Sequence, residues 1–498
     1  MRSEKYDVVV VGAGICGLNA LFVVSDYLER GQRVALVDRR ERVGGMWNDT
    51  YDYVRLHQPH PFFTAGNIKW RWDKDPSHLA TKPEVIDHLS YCLEVIKARA
   101  TVGDYLGWSY LEHDEADGVV RTTIERDGER VLLESDRLVK AFGFDVRPND
   151  PLRLSSTRVR SVSPDTCDVR TGEIASSDAP VWVIGGGKTA MDAVHTLVTS
   201  HPGREVSLLA GSGTYFVRRD EIYPQRPGLR RGTRVNQFSV DLAMRYDGDN
   251  DTTLYEPALG HTMLKVTPTA RSWMIGLLSD DEAQRISAGV TRSILGHLVD
   301  AVDVGDSGET GDGAELVLRD GERVPVPAGT WVLNCTGYLH TREAPYEPFC
   351  SPSGRVLSIN QRSVTLGFTS LSGFMLTHLL MRDRLRDLPL YELDWQALRR
   401  VAGSDATPVM WTVLMHNYTL LVEALPPTVL MRNGFDGDAW YPPLRRQWGA
   451  ASFVRTRRKQ RAHYQRTLDR ARERYDVRCG PLATSEPAPA GRRAARRP

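Results

Sequence analysis

Gly12, Gly14 and Gly17, and again Gly185, Gly187 and Ala190, have the spacing that lets a backbone turn wrap a pyrophosphate. Each triplet follows an apolar run, Val8-Val9-Val10-Val11 or Val181-Trp182-Val183-Ile184, and opens a stretch of helical character. The first position permits the tight turn, the second lets backbone approach phosphate, and the third lets helix pack on strand. The helix start adds free N–H donors and the positive end of the helix dipole. One such fingerprint is a weak signal. Two in one chain imply two dinucleotides held face to face, and the reaction served by that pairing is reduction of a flavin by a nicotinamide. Asp38, closing the strand after the first turn, is placed to accept hydrogen bonds from an adenosine ribose. Lys188 and Thr189 begin the second helix, beside the phosphates of a nicotinamide dinucleotide. The strand after that turn ends Leu208-Leu209-Ala210-Gly211-Ser212 with no base, which leaves Arg218 and Arg219 to meet an adenine 2′-phosphate.

Other chemistries are disfavoured. The six cysteines (16, 92, 167, 335, 350 and 479) are scattered, with no C-x-x-C pair to relay electrons to a disulfide and no metal-type spacing. His57 and His60 lack a third ligand nearby, so no metal is expected. A net charge of +1 gives no global attraction to nucleic acid or to an anionic membrane, and neither is expected as a partner. No run of 18 apolar residues is present to span a bilayer. These features, with the arginine-rich composition, lead to the expectation of a cytoplasmic enzyme with a small-molecule substrate. Oligomeric state is not readable.

The elements that must position these groups read as α/β. A first β-α-β unit covers residues 6–47. A packed loop region rich in aromatics, His and Pro follows at 49–80, then a helix after Pro83 and a small meander near 119–133. Pro180 opens the second β-α-β unit, and residues 211–275 read as irregular. The organisation expected is an FAD-binding part at 1–175, an inserted NAD(P)H-binding domain at 176–340, and a return to the FAD part at 341–389. A helical extension at 390–479 and a disordered tail at 480–498 complete the chain. The fold is thus two nested Rossmann-type dinucleotide-binding domains with a helical C-terminal extension. The strongly basic stretch 455–474 reads as a solvated helix face.

Between the two turns lie Val43-Gly44-Gly45-Met46-Trp47 and Tyr51-Asp52-Tyr53-Val54-Arg55-Leu56-His57-Gln58-Pro59. With the second turn and Asn334-Cys335-Thr336-Gly337-Tyr338, these segments stand in an order that resembles the class B flavin-dependent monooxygenases. That group comprises flavin-containing, N-hydroxylating and Baeyer–Villiger enzymes, and the resemblance covers roughly residues 5–385. It implies FAD and NADPH, with NADPH favoured over NADH, and O2 as co-substrate. It implies oxygenation of a nitrogen, sulfur or carbonyl group through a C4a-(hydro)peroxyflavin. Gly45, Met46, Trp47, Thr336 and Gly337 would join the glycine turns in holding cofactor. His57 stands where relatives often carry a polar residue, commonly Asn, beside the isoalloxazine, with Gln58 next to it; both are expected in the active site. The family fingerprint before the second turn carries a histidine, and here Val162 stands in its place. N-hydroxylation or other heteroatom oxygenation is therefore expected ahead of carbonyl insertion, with oxidase or dehydrogenase chemistry as the alternative.

Overall fold

A computed structural model describes residues 2–143, 146, 148–251, 253–304, 313–337 and 345–482. Tyr338, residues 483–498 of the expected tail and the boundary near 340 lie outside the described residues. The architecture is mixed α/β, with two five-stranded parallel sheets carrying the two glycine turns.

The first sheet runs Val356–Ile359, Arg137–Ala141, Val8–Val11, Arg33–Asp38, Thr101–Leu106, all parallel. Its central strand is buried on both faces, which is why it reads as an unbroken valine run. Helix Ile15–Tyr27 covers one face and itself packs against helix Thr369–Met381. Residues from beyond the second turn thus return to the first sheet as its edge strand and covering helix. The meander Ser109–Ala116, Val119–Arg126, Glu129–Ser135 closes the other face, with Arg2–Lys5 pairing parallel to its last strand.

The second sheet runs Arg292–Ile294, Val206–Leu209, Val181–Ile184, Trp331–Asn334, Arg160–Val162, again all parallel. Val162, at the fingerprint position, ends the edge strand and packs against this sheet's core. Residues 211–275, expected to be irregular, instead supply most of a three-stranded sheet: Met263–Lys265, Thr214–Arg218, Ser272–Leu278. Thr214–Val217 is buried at every position, so no alternation marked it as a strand. The pairing with Ser272–Leu278 also slips register between Tyr215 and Val217. Ile275 lies in the bulging strand with φ +63°, a conformation costly for a β-branched residue.

Helices Trp395–Ala402, Thr407–Ala424 and Pro443–Tyr475 form the C-terminal extension, and the last strand, Cys479–Pro481, pairs antiparallel with Tyr391–Leu393. Much of its aromatic load is core. Trp411 is buried, packs 4.9 Å from Trp273 and donates its indole N–H to the Ser239 carbonyl at 3.2 Å. No helix among the described residues is long and apolar enough to cross a membrane.

Three buried histidines make acid stability a test of this packing. Desolvation holds His88 down to about 3, and His378 and His416 down to about 4. An unfolded chain protonates each ring near its ordinary value, whereas the folded rings resist until pH 3–4. Stability must therefore fall as pH drops below about 6.5, by up to ~1.4 kcal/mol per pH unit for each ring. Urea midpoints should decline steadily from pH 7 to pH 5. A flat profile would show that these rings are not desolvated.

Candidate active site

The two glycine turns are built alike. Gly12 has φ +112° and Gly185 φ +132°, a region closed to other residues. A Cβ on Gly12 would meet the Ala141 carbonyl oxygen at 2.6 Å, and one on Gly185 would meet that of Cys335 at 2.8 Å. In both sheets the neighbouring strand thus runs its last carbonyl against the first glycine. The helices then start on Gly14 at φ −83°, ψ −174° and on Gly187 at φ −84°, ψ −174°, with no side-chain cap at either. The first N–H groups of both helices are left for an anion.

The third position separates them. A Cβ on Gly17 would sit 1.7 Å from the Gly12 carbonyl oxygen, whereas Ala190 is accommodated and fully buried. Gly44 donates its N–H to Ala13, and Gly45 lies so close to Gly14 that a Cβ would fall 2.9 Å from the Gly14 Cα. This cradle of backbone without side chains fits the pyrophosphate of FAD. Asp38 is buried at its edge, one oxygen accepting from Ala13 N–H at 2.6 Å and the other from Arg40 N–H at 2.8 Å. Trp47 is buried against Phe63, while Met46 is 40% exposed. Beside Gly187 nothing lies within 4 Å of where a Cβ would be. That open backbone fits a second pyrophosphate.

Thr336 and Gly337 stand beside the second turn rather than the first. Thr336 donates its hydroxyl to Asn334 Oδ1 at 2.7 Å, and its carbonyl accepts from Asn149. Lys188 pairs with Asp192 one helical turn on. Thr189 occupies the first turn of the same helix. Arg218 is held bidentately by Asp280 at 2.7 Å, and Arg219 by Glu282 at 2.7 Å. Arg218 ends strand Thr214–Arg218 and Arg219 follows it, so the covering sheet presents them rather than the strand that follows the turn.

His57 joins the two halves. Its Nδ1 accepts the Leu277 backbone N–H at 3.2 Å, and its carbonyl accepts from Arg219 at 3.3 Å. With Nδ1 an acceptor, the ring proton sits on Nε2, which makes no hydrogen bond to any described residue. Desolvation, with Lys188 and Arg219 close by, pushes the ring down to about 3 against the opposing pull of Glu282. Burial thus favours the neutral ring. Gln58 follows it, partly buried. His60 goes elsewhere, edge-on to the stacked pair Trp70 and Trp72.

Three contributors to this region were assigned no role from the sequence. Tyr51 donates to Asp192 at 3.0 Å, tying the loop region to the second helix. Leu277 acts through its backbone alone. Helix Thr369–Met381 starts without a side-chain cap, with Thr369 near Gly143 at the end of the first sheet.

A cavity of about 820 Å³ opens where three distant segments meet, with Phe62, Arg226, Met431, Trp440 and Arg446 among its lining. Phe62 stacks on Tyr223 at 5.3 Å, and Trp440 closes on both. The wall at Phe62 belongs to the loop that carries His57.

The pyridine nucleotide-disulphide oxidoreductase family model matches residues 6–221. An uncharacterized protein of Mycobacterium tuberculosis is 27% identical over 362 residues, covering 67% of this chain and 60% of its own. The FAD-containing monooxygenase EthA of Mycolicibacterium smegmatis is 28% identical over 224 residues, 43% of each chain. The FAD-binding monooxygenase lolF2 of Epichloe uncinata is 26% identical over 254 residues, 50% of this chain and 42% of its own. The chain therefore spans 60% of the first of these relatives and 42–43% of the other two. The resemblance to the class B flavin-dependent monooxygenase superfamily is borne out by these likenesses. The disulfide branch of the matched family lacks its chemistry here. All six cysteines are unpaired and buried, and burial pushes the thiols of Cys16, Cys350 and Cys479 up to about 12.

Proposed function

We propose that this protein is an FAD- and NAD(P)H-dependent monooxygenase that oxygenates a heteroatom of a small organic molecule, with N-hydroxylation favoured. The observation that carries the reading is the repeated turn: two uncapped helix starts with matching dihedrals. FAD, when bound, supplies two-electron chemistry with a nicotinamide and with dioxygen. Gly12, Gly14, Gly17 and Gly45 would hold its pyrophosphate and Asp38 its ribose. Gly185, Gly187, Lys188, Thr189 and Ala190 would hold the nicotinamide dinucleotide, with Thr336 and Gly337 against the turn. His57 would donate from Nε2 toward the reacting rings, and Gln58 would flank it. The 820 Å³ cavity, with Phe62 and Trp440 in its wall, would take the organic substrate.

Heteroatom oxygenation is favoured over carbonyl insertion because Val162 packs into the second sheet and offers no donor. NADPH is favoured by the resemblance, but Arg218 and Arg219 already hold carboxylates. A 2′-phosphate would have to compete with Asp280 and Glu282. Discrimination between NADPH and NADH is expected to stay below about tenfold, since an extra charge-assisted contact of ~1.4 kcal/mol or less is all that remains. Binding titrations with 2′,5′-ADP and ADP check this.

The test of the reaction uses the purified yellow protein with labelled dioxygen and a probe set of primary amines, a thioether and a cyclic ketone. An amine that gains one labelled oxygen, with matching nicotinamide consumption, is the expected result. Lactone from the ketone would establish carbonyl insertion instead. Hydrogen peroxide equal to all nicotinamide consumed, with every probe, would establish an oxidase.

A further inference from the structure

The long helix Pro443–Tyr475 leaves one face uncovered, and that face is unusual in two respects. Leu444 and Trp448, one turn apart on it, are 71% and 83% exposed. Ala451, Arg455, Arg458 and Lys459 continue the same exposed row by helical spacing. No acidic residue lies between Pro443 and Leu468. Three acids packed against the helix from other elements are already paired. Asp436 pairs with Arg446, Asp438 with Arg234, and Glu423 with both Arg457 and Arg461. Arg455, Arg458 and Lys459 have no ionic partner among the described residues.

A second exposed apolar residue with its own cations sits alongside. Arg445 donates to the carbonyls of Gly228 and Arg231, docking the loop 225–232 on the first turn of the helix. That loop carries Leu229, 67% exposed, next to exposed Arg230 and Arg231. Apolar tips flanked by free cations, on a chain whose net charge is only +1, form a local concentration of positive charge around a small apolar patch.

We propose that this face docks the protein on an anionic lipid surface, with Leu229, Leu444 and Trp448 entering the headgroup boundary and Arg230, Arg231, Arg455, Arg458 and Lys459 meeting lipid phosphates. The proposal revises the expectation of a merely solvated basic helix and of no membrane partner; it requires no membrane-spanning segment. A lipid surface fits better than an acidic protein, because the apolar residues crown a convex helix and loop. None of these three residues lines the 820 Å³ cavity, whose wall takes Arg226 and Arg446 from the same loop and helix. Trp448 is suited to the boundary, with an apolar ring and a polar N–H. The proposal is independent of the reaction proposed above.

The test is flotation of the full-length flavoprotein with phosphatidylcholine vesicles and with vesicles of phosphatidylcholine mixed with phosphatidylglycerol. Partition onto the mixed vesicles, with little onto phosphatidylcholine and loss at high salt, is expected. Each of Arg455→Ala, Arg458→Ala and Lys459→Ala should weaken partition about fivefold. Trp448→Ser should weaken it roughly tenfold or more. Trp448→Phe should remove a blue shift and bromolipid quenching of tryptophan emission that the parent shows. Flavin content and circular dichroism report that the variants are folded. Absence of partition by the parent protein would overturn the proposal, as would partition undiminished in a Leu444→Ser, Trp448→Ser double variant. If that double variant instead abolishes a concentration-dependent dimer and the parent ignores vesicles, the face is a contact between copies and the lipid proposal fails.

Discussion

Gly187→Ala is expected to slow reduction of the bound flavin by NADPH or NADH about a hundredfold while leaving fold and FAD content unchanged. The backbone there, φ −84° and ψ −174°, is open to any L-residue, and nothing lies within 4 Å of the new methyl group. The folded protein therefore has no reason to object. A pyrophosphate approaching the same backbone does, because the methyl occupies the surface it must touch. Charge-assisted N–H contacts contribute about 1.5–3 kcal/mol each, so losing one or two gives roughly the hundredfold stated. Anaerobic stopped-flow reduction gives the rate, and calorimetry with ADP gives the binding loss without any turnover. The control is Gly14→Ala, whose methyl would sit 3.3 Å from the Gly45 Cα, in the other cradle. It should deplete FAD instead. Unchanged reduction in Gly187→Ala would mean that the second turn holds no nicotinamide dinucleotide.

That contrast also shows why parts of this molecule were legible and parts were not. The glycine turns declare themselves because every constraint on them is local: a tight turn, an uncapped helix start and a close helix–strand contact all fall within six residues. The valine strand declares its own burial. The sheet formed by Met263–Lys265, Thr214–Arg218 and Ser272–Leu278 does not, because one strand is buried throughout and another bulges at Ile275. Its most consequential group is the Leu277 N–H, and a backbone donor has no residue type to betray it. Arg218 and Arg219 were visible as cations after the second turn. Their partners Asp280 and Glu282 lie more than sixty positions away, on a helix whose capping box uses Glu282. Spacing alone could not show that these arginines were already engaged. Nothing local says which turn Thr336 serves; the strand before it, Trp331–Asn334, lies beside Val181–Ile184 and places it at the second turn.

Replacing His57 tests the site where the two halves meet. His57→Leu should lower the rate of the nicotinamide-dependent reaction by about 10²–10³, the scale for removing one preorganised donor from a water-poor site. His57→Gln, which keeps an N–H donor, should recover part of that loss. Stability should fall by only about 1 kcal/mol in the leucine variant, from the hydrogen bond to Leu277 N–H. The pH dependence separates a fixed donor from a proton carrier. Burial beside Lys188 and Arg219 keeps the ring neutral down to about pH 3. Protonation is thus disfavoured in the folded state, and its effects enter only as pH falls toward that value. Between pH 5 and pH 9 the parent and His57→Gln should give parallel rate profiles. A limb near pH 6.5 in the parent that vanishes in His57→Gln would show a ring that titrates at its ordinary value. The ring would then exchange protons during turnover, and the hydrogen bond from Leu277 to Nδ1 would not describe the working enzyme.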